Sequence, residues 1–307
     1  MPTDLGSLAT PAAEFVGRLA LGTVQFGLDY GINNTAGRPT DATVEAILET
    51  AQAAGLSLLD TAAAYGDSER RLGAWLSQHD GITPPFQLVT KLSAAPAAQV
   101  HQQLQESLGR LRQTHLYGVM FHDFNTFRQH PTAWAGLQQA RAAGVVTRIG
   151  VSLYHPEEAE WLLAQRLDVD LVQVPFNVFD QRFSSVMPKL QQHGVEVHVR
   201  SAFLQGLLLR EPTTLPPFFA PLANKVAQLR AFAEQAGIPL PALLMHFAAF
   251  TLGVNRVVIG VDTAANLRDN LAAAHYRMQA EQVRPALQLL AEKTNKYILP
   301  YAWPPRS

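Results

Sequence analysis

The chain has 307 residues, of which 48% are hydrophobic and 16% are charged, and its formal net charge is −1 at pH 7. This balance is typical of a folded globular protein, and the near-zero charge excludes the strong electrostatic attraction that nucleic acids and anionic membranes provide to basic proteins. Cysteine is absent, which excludes disulfides, thiolate nucleophiles and cysteine-ligated metals, and we expect no metal site.

The chain also lacks the sequence marks of export and of membrane insertion. Residues 1–17 have no basic start followed by an apolar core, as a signal peptide would have. No later segment approaches the roughly 20 apolar residues that a membrane-spanning helix needs. We therefore expect a cytoplasmic protein, without nucleic-acid or membrane partners.

Eight short segments rich in Val, Ile and Leu predict strands along the chain. They lie at 19–24, 56–61, 88–91, 116–122, 148–153, 171–176, 195–203 and 256–261. Amphipathic patterns between them predict helices, for example at 41–55, 97–112, 132–144 and 156–166. Buried strands that alternate with helices indicate parallel strands joined by crossover helices, and eight such units fit a single closed (β/α)8 TIM barrel.

An open doubly wound sheet is the alternative architecture for the same alternation. In that fold, the first strand normally leads into a Gly-x-Gly-x-x-Gly turn and then directly into a helix. The corresponding loop here reads GTVQFG, residues 22–27, and does not match that pattern. The closed barrel is therefore the preferred prediction.

Two additions to the barrel are predicted near the C-terminus. Residues 204–240 are too long and too proline-rich for a simple connection, and they predict an extended loop and an extra helix after strand 7. Residues 279–294 predict a C-terminal helix, followed by a proline-rich tail packed near the barrel mouth. We expect one domain over 1–307, with its core at about 18–275 and the helix and tail at 276–307.

Polar side chains lie where three consecutive predicted strands end. Asp60 ends the second strand, Lys91 the third and His122 the fourth, while Tyr65 lies in the loop after the second. Alone, each has an ordinary structural explanation as a turn residue, surface charge or rim side chain. Because active sites of β/α barrels form at the C-terminal ends of the strands, the four side chains are expected to converge on one quadrant of the rim.

This combination of groups suits the reduction of a carbonyl group. A free tyrosine titrates near pH ~10 and is a weak proton donor at neutral pH. A neighbouring ammonium, here Lys91, is expected to lower the pKa of the Tyr65 phenol, while Asp60 keeps the lysine charged and in place. His122 can hydrogen-bond the substrate oxygen, so the site needs only a source of hydride.

The motifs around these residues resemble the aldo-keto reductase family. LLDTAAAYGDSERRLG, residues 58–73, is similar to that family's Asp-Thr-Ala-x-x-Tyr-Gly-x-Ser-Glu signature, and LVTK, MFHDF, RIGVS, LVQVPFN and VRSAFLQGLL follow in the family's order. The similarity spans roughly residues 18–275. It implies a catalytic tetrad at the same four positions, Asp60, Tyr65, Lys91 and His122.

The resemblance also implies an NADP or NAD cofactor that lies extended across the barrel mouth. Ser152 and Gln173 match family positions that contact the carboxamide. By the same resemblance, the loop after strand 7 runs beside the pyrophosphate, and Asn270 matches a position that contacts the adenine end. The implied cofactor-binding residues are Gly22, Thr23, Ser152, Gln173, Arg200, Ser201, Phe203, Gly206, Gly260, Asp262, Asn266 and Asn270.

Three departures from the family pattern bear on the cofactor and substrate. Leu153 replaces the Asn of the family's Gly-x-Ser-Asn motif, which removes one carboxamide contact. Arg200 takes the position of an aromatic that stacks on the nicotinamide in many members, and its charge is expected to favour an anionic substrate. Gly260, Val261 and Asn266 replace the groups that hold the 2′-phosphate in NADP-preferring relatives, so a weak preference for NADP is expected.

We expect an NAD(P)H-dependent oxidoreductase that interconverts an aldehyde or ketone and an alcohol, with Tyr65 as general acid and base. The polar loop at 25–39, with Asp29, Tyr30, Asn33 and Asn34, favours a sugar or polyol-like carbonyl compound. One alternative is a cofactor-binding regulatory subunit without turnover, because the family includes channel-associated β subunits. Another is an unrelated barrel lyase or isomerase with Lys91 as a Schiff base.

Overall fold

A computed structural model describes residues 10–32, 34, 37–79, 81 and 86–304. Its central feature is a closed barrel of eight parallel strands that follow one another in chain order. The strands are β1 (Leu19–Gly22), β2 (Leu58–Asp60), β3 (Gln87–Leu92), β4 (Leu116–Phe121), β5 (Val146–Ser152), β6 (Leu171–Pro175), β7 (Glu196–Arg200) and β8 (Arg256–Gly260). Every predicted strand segment overlaps one of these strands, with β3 and β5 extending beyond their segments by one or two residues, so the (β/α)8 prediction is confirmed.

Helices connect the strands and surround the barrel. Within the described ranges they are α1 (Pro11–Gly17), α2 (Val24–Gly27), α3 (Asp41–Ala53), α4 (Ser68–Gln78), α5 (Ala97–Leu111), α6 (Phe124–Gln129), α7 (Ala133–Ala142), α8 (Pro156–Ala164), α9 (Met187–Gln192), α10 (Ala223–Ala236), α11 (Leu240–Ala249), α12 (Ala264–Ala272), α13 (Arg277–Gln288) and α14 (Asn295–Ile298). The four helices predicted by periodicity are all present, each one to three residues shorter than its apolar pattern.

The strands bury side chains on both faces, as parallel strands covered by helices must. A large apolar core lies between the outer faces of the strands and the helices. A small second cluster is formed by Ala20, Leu58, Val89, Met120 and Leu171, one from each of five strands, and fills the barrel interior. Because the interior is packed rather than hollow, a ligand has room only above it, at the C-terminal ends of the strands.

The connection after β7 is the extended segment that the sequence predicts. It contains three short 3₁₀ helices at Leu204–Leu209, Pro212–Thr214 and Pro217–Leu222, and then the extra helix α10. The loop after β1 differs from expectation, because the short helix α2 begins two residues beyond the strand. The barrel closure shown by the β1–β8 pairing still excludes the open sheet.

The C-terminal helix α13 ends at Gln288, six residues before the predicted end at 294. Tertiary contacts beyond it explain the difference: the Glu292 amide donates to the Phe179 carbonyl at 2.8 Å, and its carboxylate accepts from Lys225 Nζ at 2.8 Å. These contacts require a non-helical backbone.

The tail after α13 packs against the barrel mouth through aromatic contacts. Tyr301 meets Tyr154, the second residue after β5, edge-to-face with 5.2 Å between ring centroids. Trp303 packs on Phe219 in the same way at 4.8 Å. Across the described part of the chain, none of the helices combines the length and apolar character that crossing a bilayer demands.

Candidate functional site

A buried ion pair lies at the C-terminal end of the barrel, between β2 and β3. Lys91 Nζ donates to Asp60 Oδ1 at 2.6 Å and to the Thr61 carbonyl at 3.0 Å. The second carboxylate oxygen of Asp60 accepts from Gln173 Nε2 at 2.8 Å. Lys91 is 1% exposed and Asp60 is 2% exposed, so the pair is removed from water. A buried charge of either sign needs such a partner, and the expected contact between the two residues is present.

Tyr65 lies directly over this ion pair, in the loop between β2 and α4. The Lys91 ammonium is 5.1 Å from the centroid of the tyrosine ring. His122, the residue after β4, meets the same ring edge-on with 5.6 Å between centroids. The structure therefore brings the side chains of Asp60, Tyr65, Lys91 and His122 together at one part of the rim.

Hydroxyl groups fasten the Tyr65 loop to the barrel. Ser68 Oγ donates to the carbonyl of Thr23 at 2.9 Å and also contacts the Thr23 and Thr61 hydroxyls at 2.8 and 3.0 Å. The Thr23 hydroxyl and amide both donate to the Asp60 carbonyl, at 3.0 and 2.9 Å. All of these groups are buried. The network ties the end of β1 to the end of β2 and fixes the chain on both sides of Tyr65.

A second buried acid supports the next strand, and the sequence interpretation missed its role. Glu69, in the first turn of α4, accepts from Thr90 Oγ1 at 2.6 Å and from Arg110 Nε at 2.6 Å. Thr90 immediately precedes Lys91 on β3. The Ser-Glu pair of the signature contained the signal, but its partner Arg110 lies on α5 and is visible only in the fold.

Burial sets the direction of the pKa of the Tyr65 phenol. Desolvation raises it above 10.0, and the nearby Lys91 charge and its hydrogen bond lower it by less. Lys91 lowers the pKa of Tyr65 as predicted, but the sequence interpretation missed the larger effect of burial, and the net direction is upward. Asp60 is part of the reason, because its carboxylate both offsets the Lys91 charge and disfavours the phenolate.

Lys91 and His122 have fixed charge states at neutral pH. The pKa of Lys91 is lowered by burial, but the Asp60 carboxylate and Tyr65 outweigh this and raise it above 10.5. Burial, followed by repulsion from Lys91 and Arg200, lowers the pKa of His122 from 6.5 to about 4. The lysine is thus an ammonium, and the histidine is a neutral imidazole that can donate one hydrogen bond.

A cavity of about 200 Å³ opens beside Tyr65 and Asp60. It extends along the ends of β1, β6, β7 and β8. Nine of the residues expected to bind cofactor line it: Gly22, Thr23, Gln173, Arg200, Ser201, Phe203, Gly206, Gly260 and Asp262. The cavity therefore joins the tyrosine and the predicted cofactor residues in one continuous space.

Three of the expected cofactor residues lie outside the lining of this cavity. Ser152 is buried on β5 and pairs in register with Gln173. Asn266 is exposed and Asn270 is buried, both on α12. The residue that caps α12 is Thr263, whose hydroxyl accepts from the Asn266 amide at 3.1 Å. Asp262, the residue before this cap, lines the cavity.

The cavity wall has features that fit an elongated polar ligand such as a dinucleotide. Gln25, which the sequence interpretation passed over, is 8% exposed, lines the cavity and has a buried Oε1 atom without a hydrogen-bond partner. A Cβ at Gly260 would lie 2.3 Å from the Gln25 amide, and one at Gly22 would lie 2.9 Å from Val258. Glycine at these two positions avoids crowding the Gln25 and Val258 side chains, and with the unpartnered Gln25 Oε1 this wall fits the expected cofactor.

The loop after β7 covers the cavity in a strained conformation. Ser201, Leu204 and Gln205 all have positive φ, at 64°, 48° and 54°. Each such non-glycine residue costs on the order of 1 kcal/mol and persists where surrounding contacts impose it. Asn177 Nδ2 donates to the Ser201 carbonyl at 3.0 Å, and the Ile32 amide donates to the Gln205 carbonyl at 3.0 Å.

The first loop supplies two of the polar side chains expected to face a substrate. Tyr30 and Asn34 line the cavity, whereas Asp29 is exposed and Asn33 lies outside the described residues. Burial raises the pKa of Tyr30 to about 12, so its hydroxyl stays protonated and can donate a hydrogen bond.

Comparison with known proteins gives the same assignment as the motifs. The family model described as "Aldo/keto reductase family" matches residues 18–289. The holo form of the aldo-keto reductase AKR11C1 from Bacillus halodurans superposes with a TM-score of 0.71 at 20% identity, covering 91% of this chain and 95% of that one. At this identity the superposition shows a shared fold.

Two curated proteins are similar over most of the sequence. D-threo-aldose 1-dehydrogenase from a Pseudomonas species is 24% identical, and the alignment covers 89% of this chain and 95% of that protein. The uncharacterized oxidoreductase YqkF of Bacillus subtilis strain 168 is 23% identical, with 79% of this chain and 85% of that protein covered. With the family model matched across nearly the whole barrel, this chain belongs to the aldo/keto reductase family.

Proposed function

We propose that this protein is an NAD(P)-dependent oxidoreductase that interconverts a small polar carbonyl compound and its alcohol. The observation that carries the proposal is the stack of Tyr65 over the buried Lys91–Asp60 pair at the edge of the cavity. Such a stack places a protonated phenol, held by a fixed ammonium, where a carbonyl oxygen can be bound.

Tyr65 acts as the proton donor in the direction of reduction. Its raised pKa keeps the hydroxyl protonated at neutral pH, and Lys91 stabilises the phenolate that remains after the proton has moved to the substrate oxygen. The carboxylate of Asp60 holds the ammonium in position through the 2.6 Å contact. Neutral His122 donates a second hydrogen bond to the same oxygen, and in alcohol oxidation the proton transfer runs in reverse.

The residues along the cavity wall would hold the cofactor. Gly22 and Gly260 would leave space for it, the unpartnered Gln25 Oε1 would accept a hydrogen bond from it, and the loop at 201–206 would lie beside it. When bound, a reduced nicotinamide supplies the hydride. Ser152, Asn266 and Asn270 remain proposed contacts toward its two ends.

A hydroxylated substrate is supported by the side chains at the cavity entrance. Tyr30 and Asn34 can bond to hydroxyl groups, and the related Pseudomonas protein is named as an aldose dehydrogenase. A sugar or polyol-like carbonyl compound is therefore the proposed substrate class. Schiff-base chemistry is disfavoured, because the raised pKa of Lys91 leaves no free amine at neutral pH.

The test is turnover of reduced nicotinamide in the presence of a panel of aldehydes, ketones and sugars. The purified protein is mixed with NADH or NADPH, and loss of the nicotinamide absorbance is followed with and without each carbonyl compound. We expect faster loss with at least one sugar-like substrate. Cofactor binding without acceleration by any carbonyl or alcohol would instead indicate the regulatory-subunit alternative.

A further inference from the structure

Arg200 occupies an unusual position among the arginines of this chain. It is the last residue of β7, pairs in register with Pro175 and lines the cavity beside Tyr65. Its guanidinium lies over the ring of Tyr154, 4.2 Å from the centroid, and its Nη2 donates to the Leu153 carbonyl at 3.3 Å. These contacts fix the plane of the guanidinium but leave most of its five N–H donors available.

Among the residues that the structure describes, Arg200 has no carboxylate partner. Several other half-buried arginines have acidic partners at short range, for example Arg71 with Asp41 and Arg110 with Glu69, both at 2.6 Å. Within the described residues, no carboxylate oxygen lies within 4.0 Å of the Arg200 guanidinium. A partly buried cation without a counterion is costly, and an anionic ligand would relieve that cost.

The charge of Arg200 also reaches the proposed reaction centre. It disfavours protonation of His122 and favours ionisation of Tyr65. The other nearby charges, Lys91 and Asp60, neutralise each other in the buried pair. The space beside Tyr65 therefore carries one uncompensated positive charge, and a guanidinium binds a carboxylate through two parallel hydrogen bonds.

We propose that Arg200 binds a carboxylate of the substrate, so that the preferred substrates are oxo acids rather than neutral aldehydes and ketones. This deepens the proposed function and rests on it. Arg200 is then a specificity-determining residue, with Tyr154 as the platform that orients its guanidinium. A polyhydroxylated oxo acid satisfies both Arg200 and the hydroxyl-binding side chains Tyr30 and Asn34.

The test compares two aldehydes of nearly the same shape, para-carboxybenzaldehyde and para-nitrobenzaldehyde. The nitro group withdraws electrons more strongly than a carboxylate and activates its aldehyde, so a preference for the carboxylate cannot come from the electronics of the ring. For the wild-type protein we expect kcat/KM to be about 10- to 100-fold higher for the carboxylate, the value of hydrogen bonds to a charged group. Arg200→Gln should lower the ratio of kcat/KM for the carboxylate to kcat/KM for the nitro compound by the same 10- to 100-fold, chiefly by raising KM for the carboxylate. Arg200→Lys should retain only part of the wild-type preference for the carboxylate.

Arg128→Gln is the matched control, because Arg128 also lies over an aromatic ring, 5.0 Å from the centroid of Trp161, but is absent from the cavity lining. It should leave both rates unchanged. NADH and NADPH affinities of every variant are measured by fluorescence titration. If Arg200→Gln weakens cofactor binding and both aldehydes equally, Arg200 serves the cofactor and the proposal is wrong.

A binding measurement separates this proposal from the proposed function. Calorimetry with the two alcohol products, para-hydroxymethylbenzoate and para-nitrobenzyl alcohol, needs no turnover. If the wild-type protein binds the benzoate more tightly than the neutral alcohol, and Arg200→Gln loses this difference, the carboxylate site is supported. If no carbonyl compound is turned over in the same samples, the oxidoreductase proposal is contradicted. Equal binding of the two alcohols to the wild-type protein would overturn the carboxylate site whatever the activity.

Discussion

At the level of single residues, the protonation of Tyr65, the proposed proton donor, depends on a balance between burial and charge. Burial raises the pKa of Tyr65, and Lys91 opposes this only in part because Asp60 neutralises much of its field. The lysine therefore acts mainly after proton transfer, when the phenolate needs a cation. This differs from a site in which the tyrosine is already ionised in the resting enzyme.

Tyr65→Phe tests the proton donor directly. The substitution removes the hydroxyl and keeps the ring that packs on His122. We expect kcat for carbonyl reduction to fall by roughly 10²–10⁴, the usual contribution of a positioned general acid. Affinity for reduced nicotinamide, measured by fluorescence titration, should stay near the wild-type value. Reduction at the wild-type rate would show that Tyr65 is not the donor.

His122 links stability to pH. Its pKa of about 4 in the folded protein lies below its ordinary value of 6.5, so the unfolded chain binds this proton more readily. The stabilisation is complete above pH 6.5, is lost as the pH falls toward 4, and amounts to on the order of 2 kcal/mol for this partly exposed group.

The measurement is urea unfolding of the wild type and of His122→Gln between these two pH values. The difference in unfolding free energy isolates His122 from other titrating groups such as Glu196, whose pKa is also shifted. We expect the wild type to lose more stability than the variant on acidification. Parallel curves for the two proteins would mean that His122 titrates near its ordinary value.

At the level of secondary structure, the short helix α2 and the Tyr65 loop are in backbone contact. A Cβ at Gly27, the last residue of α2, would lie 1.6 Å from the Tyr65 carbonyl oxygen. One at Gly66, where φ is +54°, would lie 2.5 Å from the Gly27 carbonyl oxygen. These two glycines let the first loop press against the loop that carries the proton donor.

Gly27→Ala should therefore displace Tyr65. Because backbone atoms cannot yield as a flexible side chain can, we expect a loss of about 1–3 kcal/mol in unfolding free energy and at least a tenfold fall in kcat. The matched control is Gly109→Ala in α5, where an added Cβ meets nothing within 4 Å. That control should gain about 0.5–1 kcal/mol and keep full activity. Equal behaviour of the two variants would exclude the contact.

At the level of the whole molecule, β8 and α12 bear on the choice between NAD and NADP. Gly260 and Asn266 supply no cation for a 2′-phosphate. Asp262 is an acid whose pKa is raised by burial, and it supplies no positive charge in either protonation state. Arg268 is exposed on α12 and is the nearest cation in sequence. A phosphate dianion binds poorly where arginine and lysine are missing.

We therefore predict that NADH binds at least comparably to NADPH. Fluorescence titration with both reduced cofactors measures the two dissociation constants. Arg268→Gln should change the dissociation constant for NADH little. A rise in the dissociation constant for NADPH would indicate that Arg268 contacts the 2′-phosphate. NADPH binding about a hundredfold tighter than NADH, equivalent to about 2.7 kcal/mol, would overturn the prediction.

The sequence by itself determined the barrel and the membership of the proposed tetrad. Eight apolar strand segments with helices between them allow few other arrangements, and parallel strands bring the residues at their C-terminal ends to one rim. The positions of Asp60, Lys91 and His122 followed from this topology: Asp60 ends β2, His122 directly follows β4, and Lys91 is the penultimate residue of β3, which runs one residue beyond its predicted end.

Only the tertiary structure decided the energetics and the boundaries that depend on distant contacts. The net direction of the Tyr65 pKa depends on burial, which local sequence does not encode. The lack of a carboxylate near Arg200 among the described residues, the Glu69–Arg110 pair and the early end of α13 each depend on residues far apart in the chain. Strand order follows from a local pattern that is repeated eight times in the sequence. Ion pairing depends instead on which side chains of separate elements lie close together in the folded protein.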